Sequence, residues 1–161
     1  VLGLDIGMFY KRRNYSIVIN GRNPIEAHEY LGNDLKGKDA IVVDDMISSG
    51  ESLIDVALQL KEKGAKRIFN FVTFGLFTDG FEKFDRAYAD GVIDRIFTTN
   101  LIYRRPELLT KEWYCEVNMC KYVAYLVDTL NHDMTISGLL DPVKRIHTLL
   151  DKHKSAVSEK L

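Results

Sequence analysis

The sequence has 161 residues, which suits one domain built around a single hydrophobic core. Hydrophobic residues make up 46% of the chain and the net charge is −1. This composition excludes the basic surface of a nucleic-acid-binding protein and the long apolar segment of a membrane-spanning one. Cys115 and Cys120 fit neither a redox pair nor a metal-ligand spacing, so we expect free thiols and a cytoplasmic protein.

Short apolar segments with strand character occupy the first part of the chain. Strands are predicted at 4–10, 16–20 and 40–43, and the segment 27–31 is too short to assign. The third strand, "AIVV", is a continuous apolar run, which is typical of a central parallel strand buried on both faces.

Helical and strand patterns alternate from residue 51 onward. A helix is predicted over 51–63, and Gly64 follows it as the expected C-terminal cap. The remaining predicted elements are strands at 67–74 and 92–100 and helices at 79–91, 118–133 and 141–154. This alternation predicts an α/β domain over 1–154, with a mostly parallel β-sheet flanked by helices, followed by a frayed tail at 155–161.

Two adjacent carboxylates follow the third strand in the stretch "VVDDMISSGES". Ligands of open parallel sheets bind beyond the carboxyl ends of the strands. The start of the next helix favours an anion, three serines add hydroxyl donors, and Gly50 allows the backbone a close approach. Asp44 and Asp45 can accept hydrogen bonds from vicinal hydroxyls or hold a hydrated Mg²⁺. A site that binds a phosphate at one end and a diol or a metal ion at the other fits ribose 5-phosphate as its ligand.

A simpler interpretation is that Ser49 caps the helix while both aspartates are solvated, since such caps are common. One cap needs a single hydroxyl and no carboxylate pair. The sequence therefore favours ligand binding over capping alone.

Several stretches resemble one branch of the type I phosphoribosyltransferase-like proteins, the ribose-phosphate pyrophosphokinases (phosphoribosyl pyrophosphate synthases). The similar stretches occur in that family's order: "YKRRNYS", "NGRNPIEAHEYLG", "VVDDMISSGES", "GAKRIFNFVTFGLF", "DRIFTTNLIY" and "NHDMTISGLL". They cover residues 1 to about 153 of this chain and only the C-terminal half of such an enzyme. We therefore expect a chain that begins at Val1 without a methionine to be a piece of a longer protein.

The resemblance implies an enzyme that moves the diphosphoryl group of ATP to the C1 hydroxyl of ribose 5-phosphate. The products are phosphoribosyl pyrophosphate and AMP, the cofactor is Mg²⁺, and the full-length protein is a homo-oligomer. The family's ATP pocket lies in the other half, so this half alone is expected to be inactive. The implied ribose 5-phosphate site consists of Asp44, Asp45, Ser48, Ser49, Gly50, Glu51 and Ser52, with Mg²⁺ at Asp44 and Asp45.

The stretch "KRR" matches the family's catalytic loop, and the resemblance implies that Lys11 and Arg13 contact the transferring diphosphate. Cations of this kind stabilise the negative charge that spreads over the phosphoryl oxygens. Many family members have an acidic residue and a threonine where this chain has Ser48 and Ser49, so phosphate binding is retained but an acidic role at position 48 is not. Thr135 and Ser137 match a segment near which some members bind a regulatory nucleotide, although helix capping or packing explains these hydroxyls as well.

Two alternatives stay open. A phosphoribosyltransferase that consumes phosphoribosyl pyrophosphate shares the Asp-Asp loop, but it does not need "KRR" and it needs a nucleobase hood that is not visible here. A non-catalytic regulatory relative of the synthase keeps the fold and loses catalytic residues. The presence of Lys11, Arg13, Asp44 and Asp45 argues against this second alternative.

Overall fold

The computed structural model describes residues 1–13 and 25–158, with the side chains of residues 11–29 and 157–158 outside that description. The predicted strand at 16–20 lies outside the described residues. The chain forms two units, one of Asp5–Asn118 and one of Val1–Leu4 with Met119–Leu161. The single domain expected over 1–154 stays a prediction.

An antiparallel hairpin opens the larger unit. Its strands are β1 (Met8–Arg13) and β2 (Ile25–Leu31), and their register shifts between Arg12 and Arg13. The pattern had placed the first strand earlier, at 4–10, and had left 27–31 unassigned. Phe9 and Tyr30 hold the strands together through rings whose centroids are 5.3 Å apart.

Four parallel strands form the sheet of this unit, in the order in which they occur along the chain. They are β3 (Ala40–Ile47), β4 (Ile68–Gly75), β5 (Arg95–Thr99) and β6 (Tyr114–Val117). Helix α1 (Glu51–Glu62) connects β3 to β4, and α2 (Glu82–Ala89) connects β4 to β5. The α/β fold with a parallel sheet flanked by helices is therefore confirmed, whereas β6 had no predicted counterpart.

A 3₁₀ turn at Pro106–Thr110 precedes β6. The second unit contains α3 (Cys120–Asn131), the short α4 (Ser137–Leu140) and α5 (Val143–Ser158). Helix α5 continues past its predicted end at residue 154, and residues 159–161 lie outside the described part of the chain. In that described part, no helix is long and apolar enough to cross a bilayer.

An aromatic cluster forms the core beside the carboxyl ends of β4 and β5. Its members are Phe77, Phe81, Phe84, Trp113 and Tyr114, all buried. Phe77 contacts each of the other four rings, with centroids 5.0 to 6.4 Å apart. Such pairs contribute about 0.5–1.5 kcal/mol each beyond their burial, so the cluster makes this end of the sheet rigid.

The carboxylate of Asp85 on α2 ties the helix to the segment before β6. Lys111 Nζ lies 2.7 Å from one carboxylate oxygen, and Trp113 Nε1 donates to the other at 2.8 Å. Partial burial disfavours the charged form, but the hydrogen bonds from Lys111 and Trp113 outweigh it and hold the pKa of Asp85 below its ordinary value.

We expect Asp85→Asn to remove a pH-dependent part of the stability. Because the pKa is lower in the folded chain, the ionised carboxylate stabilises the fold fully above the unfolded pKa of about 3.9. That contribution is lost as the pH falls through the folded-state pKa. The difference in unfolding free energy between parent and variant should be constant above about pH 5 and shrink below about pH 4. Urea titrations across this range measure it, and a difference that does not vary with pH would contradict the prediction.

Candidate functional site

The two adjacent carboxylates lie inside β3, not after it. The strand was predicted to end at Val43 but continues to Ile47, because its pairing with β4 continues through Asp44↔Val72 and Met46↔Phe74. β3 is an edge strand of the four-stranded sheet and is largely exposed, so the prediction of a central strand buried on both faces was wrong. An edge strand tolerates exposed polar residues, so the change from apolar to acidic residues does not end it.

Asp44 and Asp45 are both exposed, and they occupy opposite faces of the strand because successive side chains alternate. Asp44 pairs in register with Val72, whose side chain is buried in the core, and the Asp45 amide donates to Asp44 Oδ1 at 2.8 Å. This hydrogen bond fixes the orientation of one carboxylate. The two groups are therefore not equivalent, although the sequence places them side by side.

The loop from Ser48 to Gly50 leads directly into α1. Gly50 is the N-cap residue, with φ of +90°, and as a glycine it has no side chain that could cap the helix. The Ser49 hydroxyl lies 3.5 Å from the Glu51 amide, at the long limit of a hydrogen bond. Ser49 is therefore not the N-cap residue of α1, although its hydroxyl accepts a long hydrogen bond from the first amide of the helix. A helix start of this kind suits an anion.

Backbone hydrogen bonds from the segment after β4 hold this loop. The Leu76 amide donates to the Ile47 carbonyl at 2.8 Å, and the Thr78 amide donates to the Ser48 carbonyl at 3.0 Å. On the other side, the Ile54 amide donates to the Gly50 carbonyl at 3.0 Å and begins the helix. The backbone is thus held at three carbonyls, those of Ile47, Ser48 and Gly50.

The donor set at β3 fits Mg²⁺, which prefers one or two carboxylates and keeps several waters. In the part of the chain that the structure describes, no cationic side chain pairs with Asp44 or Asp45, so both present hard oxygen donors. No group of three or more His, Cys, Asp or Glu side chains among those residues gathers into a metal site. A cation here would therefore keep most of its ligands as water or substrate oxygens.

Other predicted site residues lie elsewhere. Lys11 and Arg13 belong to β1, but their side chains are outside the described part of the structure. Thr135 and Ser137 lie in the second unit, where their hydroxyls are 2.9 Å apart and the Ser137 amide donates to Thr135 Oγ1 at 3.3 Å. This local contact precedes α4, and a regulatory role for the pair stays a prediction.

Comparison with known proteins decides the family. The model of the phosphoribosyl synthetase-associated domain family matches residues 20–140. The chain belongs to this family. The matched range includes β3, the loop and the start of α1, so the candidate site lies within the family's own domain.

Curated relatives of this family member are ribose-phosphate pyrophosphokinases. The protein from Vibrio cholerae is 28% identical over 141 residues, covering 86% of this chain and 41% of the relative. The one from Shewanella oneidensis is 31% identical over 135 residues, covering 84% and 40%, respectively. This phosphoribosyl synthetase-associated chain therefore spans about two fifths of the length of these relatives.

A solved structure supports the fold of the family member. The phosphoribosylpyrophosphate synthetase from Mycobacterium smegmatis superposes with a TM-score of 0.58 at 20% sequence identity. The superposition covers 66% of this chain and 34% of that chain. The likeness shows a shared α/β fold, as the alternation of strands and helices had predicted.

The residues that hold the loop were not predicted from the sequence. Phe77 has a φ of +48°, a left-handed conformation that is rare for a bulky residue and has no sequence signature. Phe84 lies beneath Gly50, and no pattern in the sequence predicts that these two residues are in contact. The glycine itself was the only available signal, because a left-handed position usually needs one.

Proposed function

We propose that this chain is the ribose 5-phosphate-binding part of a ribose-phosphate pyrophosphokinase. The observation that carries the proposal is the continuous path from the carboxylates of β3 through the left-handed Gly50 to the start of α1. Family membership and the names of the relatives support the same assignment. A cytoplasmic location and a homo-oligomeric full-length enzyme complete the proposal.

In the proposed reaction, the C1 hydroxyl oxygen of ribose 5-phosphate attacks the β-phosphorus of ATP. The bond from that phosphorus to the oxygen bridging to the α-phosphate breaks, AMP leaves, the hydroxyl proton is lost and phosphoribosyl pyrophosphate forms. The loop of Ser48, Ser49, Gly50, Glu51 and Ser52 holds the 5-phosphate at the helix start. Asp44 and Asp45 orient the ribose hydroxyls, and the sugar is thereby positioned for attack.

Cationic groups complete the chemistry. Lys11 and Arg13 would stabilise the charge on the transferring diphosphoryl group. Mg²⁺ held at Asp44 or Asp45 would supply additional neutralisation of phosphate charge. Because ATP has to be bound by another part of the full-length protein, the 161-residue chain alone supplies only the sugar-phosphate half of the active site.

A phosphoribosyltransferase that consumes phosphoribosyl pyrophosphate would use the same loop. The curated relatives favour the synthase, since those named here are ribose-phosphate pyrophosphokinases. A regulatory relative without activity would be expected to have lost the carboxylates of β3, which this chain retains.

Calorimetric titration of the 161-residue chain tests the proposed site. We expect ribose 5-phosphate to bind and ribose to bind far more weakly, because the phosphate supplies the charge-assisted hydrogen bonds at the loop. Equal affinity for the two sugars, or no binding of ribose 5-phosphate by the folded chain, would contradict the proposal.

The lone chain is expected to make no phosphoribosyl pyrophosphate from ribose 5-phosphate and ATP. The reason is that a diphosphoryl transfer requires both substrates to be held in line. Product formation is followed by phosphorus NMR with Mg²⁺ present. Steady ATP-dependent synthesis by this chain would contradict this expectation and would show that the chain itself binds ATP.

A further inference from the structure

The candidate phosphate-binding loop is supported by a strained segment. Leu76 and Thr78, whose amides hold the Ile47 and Ser48 carbonyls, flank Phe77 in its left-handed conformation with φ of +48°. A bulky residue adopts this conformation only where the surroundings enforce it. Here the Phe77 ring is 2% exposed, within the aromatic cluster. The strained conformation of Phe77 therefore occurs in the segment whose two flanking amides, those of Leu76 and Thr78, donate hydrogen bonds to the loop.

A second support lies directly beneath the loop's glycine. A methyl group added to Gly50 would overlap Cζ of Phe84 and lie 2.7 Å from its Cε1, and the three nearest atoms all belong to this ring. The ring edge therefore occupies the space where any other residue at position 50 would carry its side chain. Gly50 is both the N-cap of α1 and the point at which the loop rests on the core.

The Phe84 ring is held in place on its other sides. It is 0% exposed, it meets Phe77 edge-on at 5.0 Å, and it stacks on Trp113 at 5.4 Å with an interplanar angle of 29°. Trp113 is in turn fixed by its hydrogen bond to Asp85. A ring packed on these sides does not move away from Gly50, so it sets the height of the loop above the core.

We propose that Phe84 is a positioning residue for phosphate binding: through Gly50 it fixes the start of α1 relative to the carboxylates of β3. Phe84 touches no ligand and acts only through the loop backbone. The inference rests on the proposed function, because it concerns the site assigned to ribose 5-phosphate. The inference adds that position 84 needs a flat ring, which does not follow from family membership.

The test compares Phe84→Leu with the matched control Phe81→Leu in the 161-residue chain. Both residues are buried in the same cluster, so both substitutions should lower the melting temperature. The three atoms nearest to a methyl group added at Gly50 all belong to Phe84 and none to Phe81. We expect the dissociation constant for ribose 5-phosphate to rise about tenfold or more in Phe84→Leu, since small misplacements of a binding group have effects of this size. The control should bind as the parent does, at a temperature where all three proteins are folded.

The outcomes separate the inference from the proposed function. If the parent binds ribose 5-phosphate and Phe84→Leu binds it with the same dissociation constant, Phe84 is an ordinary core residue and the inference is wrong. Equal weakening in both variants would show that loss of packing anywhere in the cluster loosens the loop, and would also overturn the inference. A parent that does not bind would refute the proposed function and the inference with it.

Discussion

Replacing both Asp44 and Asp45 by asparagine is expected to weaken ribose 5-phosphate binding by more than about tenfold, because hydrogen bonds to charged groups contribute about 1.5–3 kcal/mol each. Asparagine has nearly the same size, and both positions are exposed, so the fold should be retained. Titration calorimetry with and without Mg²⁺ measures the change. If Mg²⁺ binds at β3, its contribution to affinity should disappear in the variant.

A matched control removes the same two charges elsewhere. Asp55 and Asp90 are exposed carboxylates of the same unit that lie outside the candidate site. The Asp55→Asn, Asp90→Asn double variant should bind ribose 5-phosphate like the parent. A similar loss of affinity for ribose 5-phosphate in both double variants would indicate a general effect of net charge. Unchanged affinity in both would show that the carboxylates of β3 are not part of the site.

The opposite orientation of the two carboxylates makes their separate effects informative. Asp44 is fixed by the Asp45 amide, whereas Asp45 lies on the other face of the strand. A single preorganised carboxylate loses less conformational freedom on binding than a mobile one. The two single variants therefore separate the group that orients the ribose from the group available to a metal ion.

Local patterns in the sequence predicted the fold class correctly, whereas the ligand-binding role of the loop stays a prediction. The alternation of apolar runs with helical spacing predicted the α/β sheet, and "VVDDMISSGES" predicted a ligand loop before α1. The end of β3 was wrong because strand length depends on pairing with β4, which a change to acidic residues does not interrupt. Strand β6 was missed because its four residues, Tyr114–Val117, are too few for a clear alternation.

Contacts between distant positions were not predictable. The packing of Phe84 under Gly50 and the left-handed Phe77 depend on how α2 docks on the sheet, and no spacing in the sequence encodes that docking. The residues that would touch a ligand were predicted from the sequence and stay a prediction, whereas the structure was needed to find the residues that support their loop. Among the loop residues, Gly50 is the one at which we expect a substitution to have the largest effect.

Gly50→Ala is expected to destabilise the chain and to abolish ribose 5-phosphate binding. A residue with φ of +90° costs about 1–2 kcal/mol when it is not glycine, and overlap with the Phe84 ring adds about 1–3 kcal/mol. The loop can relieve this overlap only by rising from the core, which displaces the start of α1. Urea unfolding gives the stability and calorimetry gives the affinity.

Gly37→Ala is the control for backbone strain alone. Gly37 also has a positive φ, +74°, but a methyl group added there meets no atom within 4 Å. The Gly37→Ala variant should lose only about 1–2 kcal/mol of unfolding free energy, from backbone strain, and should bind ribose 5-phosphate with the parent's affinity. The excess destabilisation of Gly50→Ala over Gly37→Ala then measures the contact with Phe84. Equal destabilisation would mean that the loop rises from the core at no cost, and retained binding would mean that its height does not matter for the phosphate.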